Sequence, residues 1–217
     1  MNILCLNTGF TKADIALHFE GKDYFITTDS SAKHSENLLP EIEKLLEKVC
    51  KNGETTSEVL NRIDVISVVT GPGSFTGLRI GISTAKAIAL THEHMRIVSL
   101  GSLELIAKLS KNKQKTAILD ALSGYYFVSC FDGDLCTLEP KMITSGELSN
   151  FKNFVSIEKL NFETELVSFS PESLLKLTLE KIDKNQFTSE EKFLPLYIRP
   201  SQAEANLNEN KVKNNYA

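Results

Sequence analysis

The sequence predicts an α/β fold of two similar lobes, each a β-sheet flanked by helices. Short apolar runs of strand length alternate with stretches of helical period. A strand, a turn and a hairpin open the chain and recur in its second half at nearly the same spacing. Between them, a glycine-rich junction joins an apolar strand to a long helical pattern.

Residues 2–8 (NILCLNT) read as a buried strand ending at the Gly9 turn, and residues 13–20 and 22–28 as a hairpin about Gly21. Leu38, Leu39, Ile42, Leu45, Leu46 and Val49 keep helical spacing, with Ser35 as a cap and Asn52-Gly53 as a stop. Pro40 lies inside that pattern, so the helix starts near it or kinks there. Residues 63–70 form the next strand, followed by the glycine motif and its helix, and residues 96–100 a short strand; Ser102 caps a helix through about Ser110. The second half restarts with a strand at 116–120, a turn at Gly124 and a hairpin about Gly133. Overlaying the halves pairs Asn7 with Asp120, Gly9 with Gly124 and Gly21 with Gly133, at spacings of 14 residues from Asn7 to Gly21 and 13 from Asp120 to Gly133. Residues 171–183 predict a helix with Pro171 in its first turn. The expected division is a first lobe over 1–105, a smaller, divergent second lobe over 106–205, and a disordered polar tail over 206–217.

The 217 residues carry a net charge of −4, with 41% hydrophobic and 24% charged residues, which suits a globular core and disfavours a chain that grips nucleic acid by itself. Lys108, Lys111, Lys113 and Lys115 read as a solvated helix end and loop. No leader-like start and no apolar run of membrane-spanning length is visible. Cys5, Cys50, Cys130 and Cys136 show no C-x-x-C pair, so free thiols in a reducing cytoplasm are expected. These features predict a cytoplasmic protein without membrane contact.

The junction VVTGPGSFTGLRIGISTAKAIAL invites a phosphate-loop reading and fails it. The lysine of a Walker loop is missing, Gly77 comes one residue late for a dinucleotide fingerprint, and Pro72 has no N–H to offer phosphate. Gly77, Gly81, Ala85 and Ala89 instead make a stripe of small side chains, which calls for close packing to offset the helical cost of glycine, about 1 kcal/mol each. Arg79, Ser83 and Lys86 form a polar strip on the same helix. In the first turn, Asn7 places a neutral amide where a metal-organising carboxylate is wanted, leaving Thr8, Thr11 and Lys12 as weak candidates for touching phosphate. His34 stands alone and His92 and His94 face apart, so no metal site is expected. No G-x-S-x-G elbow occurs and Ser74 has no evident His/Asp partner; Asp64 and Asp120 sit at strand ends, where a carboxylate could serve catalysis but aspartate is common, so no catalytic residue is assigned.

GPGSFTGLRIG closely resembles the signature of the bacterial TsaB (YeaZ) family. ILCLNT, KHSENLLPEIEKLL (33–46), DAL (120–122) and PLYIRP (195–200) match the family in order. The resemblance covers residues 1–131 well and 195–200 locally. It implies an actin-like, ASKHA-type (ribonuclease H-like) fold with two duplicated lobes, mixed sheets and flanking helices. It also implies a non-catalytic dimerisation subunit that binds and activates the TsaD transferase, with the ATPase TsaE, in threonylcarbamoylation of adenosine 37 of tRNAs reading ANN codons. ATP and a divalent metal then belong to the partner subunits, tRNA is met only through the complex, and the chain self-associates when TsaD is missing. The expected partner-binding residues are Leu38, Leu39, Ile42, Leu45, Leu46, Phe75, Thr76, Leu78, Arg79, Ile82, Ser83 and Lys86, beside the motif loop Gly71, Pro72, Gly73, Ser74 and Gly77. Two departures from the family pattern stand out: Asn7 for the usual aspartate, and Leu122 for a basic residue. The competing reading is a glycoprotease-type metallopeptidase or an ATPase of the same fold.

Overall fold

A computed structural model of the chain describes residues 1–28 and 34–198, with the side chains of 34–36 excepted; the tail predicted at 206–217 lies outside the described residues. The first sheet is built from β1 (Ile3–Asn7), β2 (Asp14–Phe19), β3 (Lys22–Thr27), β4 (Val65–Gly71) and β5 (Arg96–Gly101). Its order is β3-β2-β1-β4-β5, antiparallel through the hairpin and parallel from β1 to β4 to β5. The hairpin closes through Glu20 and Gly21, at φ 50° and 78°, the backbone that tight two-residue turns require.

The second sheet repeats that plan. It holds β6 (Gln114–Asp120), β7 (Tyr125–Asp132), β8 (Leu135–Thr144), β9 (Phe154–Ser156) and β10 (Glu165–Leu166), in the order β10-β9-β6-β7-β8 with the same pairing senses. The predicted overlay extends to side chains: Asn7 Oδ1 accepts from Gly9 N at 3.0 Å, and Asp120 Oδ1 from Leu122 N at 2.7 Å, so each first strand ends in the same side-chain turn. Two mixed five-stranded sheets of one plan with flanking helices make the duplicated α/β architecture expected from the sequence.

Among the described residues, five α-helices flank the sheets: α1 (His34–Glu47), α2 (Thr56–Leu60), α3 (Phe75–Leu90), α4 (Ser102–Leu109) and α5 (Pro171–Asp183). Alternation along β4 sorts two of them onto opposite faces. Ser67 Oγ lies 2.7 Å from Thr178 Oγ1 of α5, whereas the Val68 side chain reaches Gly81 of α3. α1 packs beside α3, and α5 crosses back from the second half to β1, β2 and β5. α4 lies against both sheets, and its Lys108 pairs with Glu180 of α5 at 2.6 Å. The main core runs from Ile3, Leu4 and Leu6 through Val65 and Val68 to Leu45, Leu78 and Leu174.

Three cap readings are corrected. Ser35 lies one residue inside α1, and that helix continues through Pro40 to Glu47. Ser102 does not cap α4; Gly101 holds the cap position, and the Ser102 hydroxyl is buried without a hydrogen-bond partner among the described residues. The expected stop at Asn52-Gly53 falls beyond the end of α1, in a turn with Gly53 at φ 83°. α2, β9 and β10 are additions to the sequence reading.

Candidate partner-binding site

β4 delivers the signature loop onto the turn after β1. Gly71 has φ 117°, a backbone open to glycine, and Ser74 caps α3 by accepting from Gly77 N at 3.2 Å. Ser74 N donates to Gly9 O at 2.9 Å, and Thr8 Oγ1 donates to Gly77 O at 2.6 Å. A Cβ at Gly73 would strike the Gly9 carbonyl, at Gly77 the Thr8 carbonyl, and at Gly81 the Thr8 hydroxyl. The glycines therefore let loop and helix lie directly on residues 8–9, and the chain's own backbone fills the space a phosphate cradle would need. The small-residue stripe is buried and faces this chain's own sheet.

This contact removes Thr8 from the phosphate-touching candidates: it is fully buried and its hydroxyl is committed to Gly77. Thr11 and Lys12 are exposed and line a cleft of about 590 Å³ with Phe10, Asp14, Thr27, Glu158 and Ser170. Asn7 has a structural reason to be an amide. Its Nδ2 donates to Asp14 Oδ2 at 2.9 Å, while Thr27 Oγ1 donates to Asp14 Oδ1 at 2.8 Å. An aspartate at position 7 would set a second buried carboxylate against the first. Leu122 begins a run of three left-handed residues, Leu122, Ser123 and Gly124 at φ 64°, 57° and 79°, and its side chain is exposed. Across the cleft, burial pushes the Glu158 carboxyl up, opposed by a hydrogen bond from Asp120 N and reinforced by the Asp120 charge.

Among the described residues, no group of three or more His, Cys, Asp or Glu side chains is placed to hold a metal ion. His92 and His94 follow the end of α3 instead of lying on it, with ring centroids 6.2 Å apart. The lysine cluster is less solvated than predicted: Lys108 pairs with Asp134 and Glu180, and Lys115 is buried with Nζ donating to Ser110 O at 3.1 Å. All four cysteines are free, and Cys5 is fully buried, its thiol pushed up to about 11 by burial. No described helix is long and apolar enough to cross a membrane.

The partner-binding residues read from the sequence divide by exposure. Leu38, Ile42, Leu45, Leu46, Leu78 and Ile82 are buried in this chain's own core, because the apolar stripes of α1 and α3 face the sheet and each other. Leu39 (59% exposed), Thr76, Arg79 and Ser83 point outward, and Phe75 and Lys86 are half-buried. The sequence reading missed a further element. The segment 193–198, which runs into the PLYIRP block at Pro195, lies across the motif: Phe193 is buried in the main core and Leu196 N donates to Thr70 O at 2.8 Å. Tyr197 then packs on Phe75, with ring centroids 4.9 Å apart.

The family model described as "TsaD: tRNA N6-adenosine threonylcarbamoyltransferase" matches residues 25–128. A tRNA threonylcarbamoyladenosine biosynthesis protein TsaB of Buchnera aphidicola subsp. Baizongia pistaciae is 30% identical over 113 residues, 52% of this chain and 48% of that one. The protein of the same name from Haemophilus influenzae is 26% identical over 132 residues, covering 58% and 52%. The chain thus spans about half the length of the curated relatives it matches. In fold, it is similar to a crystal structure of a protein with similarity to peptidase YEAZ from Pseudomonas aeruginosa, with a TM-score of 0.72 at 20% identity over 91% of this chain and 99% of that one.

Proposed function

We propose, taking the TsaB (YeaZ) family as this chain's own, that it is a non-catalytic subunit of tRNA threonylcarbamoyladenosine biosynthesis. It binds and activates a TsaD transferase, works with TsaE in modifying adenosine 37 of tRNAs reading ANN codons, and self-associates when TsaD is absent. In this reading it acts in the cytoplasm, the lobe at 1–105 carries the docking helices, and ATP and a divalent metal are bound by the partner subunits. One observation carries the proposal: the signature glycines are spent on packing α3 against residues 8–9, which positions the outward faces of α1 and α3 instead of a ligand. Leu39, Thr76, Arg79 and Ser83 on those faces then meet the helices of TsaD.

The test is complex formation with TsaD from the same cell, followed by gel filtration. Leu39→Glu and Ala87→Glu change side chains exposed on α1 and α3 and should abolish the complex while leaving the melting temperature within a degree or two. Undiminished binding by both variants would place the docking surface elsewhere.

A further inference from the structure

We propose that the segment 193–198 completes this docking face by aiming Arg79 at a carboxylate on the partner protein, with Tyr197 as the positioning residue. The inference rests on the docking role just proposed and names the chemistry the partner must present.

Arg79 is exposed yet held on two sides. Its Nε donates to the Tyr197 hydroxyl at 2.7 Å, and its guanidinium carbon lies 3.9 Å from the Phe75 ring centroid and 5.6 Å from that of Tyr197. Tyr197 is fixed in turn by the neighbouring Leu196 N–Thr70 O bond and the buried Phe193. An unrestrained arginine loses substantial rotamer freedom when it binds, and this one has lost much of it already. With Nε engaged, the two terminal nitrogens remain, the pair that grips a carboxylate end-on. None of the ion pairs among the described residues involves Arg79. α3 carries Arg79 and Lys86 and no acidic residue, so the face it presents complements an acidic one. Protein is favoured over nucleic acid because Leu194 and Leu196 lie exposed on the same segment, an apolar and cationic mixture that suits a protein interface.

The test is calorimetric titration of the full chain with TsaD at low and high salt. Arg79→Gln should weaken binding about 30-fold or more and flatten its salt dependence. Tyr197→Phe, which keeps the ring and removes the hydroxyl, should weaken binding about 5-fold alone and by nothing further when Arg79 is already glutamine. Wild-type affinity in Arg79→Gln overturns the proposal. So does an equal Tyr197→Phe loss in both backgrounds, since Tyr197 would then act independently of Arg79. If Leu39→Glu and Ala87→Glu block the complex and Arg79→Gln binds like the parent, docking stands and this inference falls; if all three bind like the parent, both fall. Loss of tRNA binding with unchanged TsaD affinity in Arg79→Gln also overturns it, in favour of a phosphate ligand.

Discussion

Replacing Gly77 with alanine tests whether the signature glycines serve packing. At an open helical site, alanine stabilises by about 1 kcal/mol over glycine. Here the new methyl would enter the Thr8 carbonyl, a main-chain atom that cannot swing aside. Relief requires α3 to move off the turn after β1, at the expense of the Thr8 Oγ1–Gly77 O bond (2.6 Å) and the Ser74 N–Gly9 O bond (2.9 Å). Overpacking costs about 1–3 kcal/mol and each weakened hydrogen bond about 1 kcal/mol. Less the propensity gain, the net loss is about 2–4 kcal/mol, a fall of roughly 5–15 °C in melting temperature for a chain of this size. Thermal melts followed by circular dichroism read it, with Gly101→Ala as control, since a Cβ there meets nothing nearer than 3.5 Å. A Gly77→Ala protein as stable as the parent refutes the packing role.

Ile42→Glu buries an unpartnered carboxylate where only 3% of the residue is exposed, so far-ultraviolet circular dichroism should report an unfolded chain, unlike Leu39→Glu one turn away. Cys5 should resist a thiol reagent at pH 8 in the folded protein while the partly exposed Cys50, Cys130 and Cys136 react; native mass spectrometry of the labelled peptides checks this. The raised Glu158 pKa favours the protonated side chain in the native state, so its stabilising contribution is full below the ordinary value of 4.5 and is lost as pH rises through the raised one. Glu158→Gln should therefore melt higher than the parent at pH 8 and alongside it at pH 4; equal melting at both pH values contradicts that burial penalty.

The fold was largely legible because its signals are local and dense. Ile3 to Leu6 is a continuous apolar run, Val65 to Val69 is one broken only by Ser67, and Gly21 and Gly133 mark turns with φ 78° and 60°. The elements that escaped lack such signals: β9 and β10 have three and two residues and owe their conformation to pairing with β6 and each other. α2 did leave a trace, since Thr55 and Glu58 form a capping box, but five residues with one buried side chain, Val59, make no periodic pattern. At the site, periodicity located the faces of α1 and α3 without saying which apolar residues the sheet would consume. Ile42 and Leu46 turned inward, whereas Leu39, one position from buried Leu38, turned out. Tyr197 stands 118 residues from Arg79, a separation no local pattern spans.

In the proposed function, this chain contributes a surface and TsaD the chemistry. Reconstituted threonylcarbamoylation of tRNA by TsaD and TsaE, measured as modified adenosine with parent chain, with Ala87→Glu, and with none, tests it most directly. Full modification is expected with the parent and background with the other two. Equal modification in all three reactions, or modification by this chain without TsaD, would contradict it.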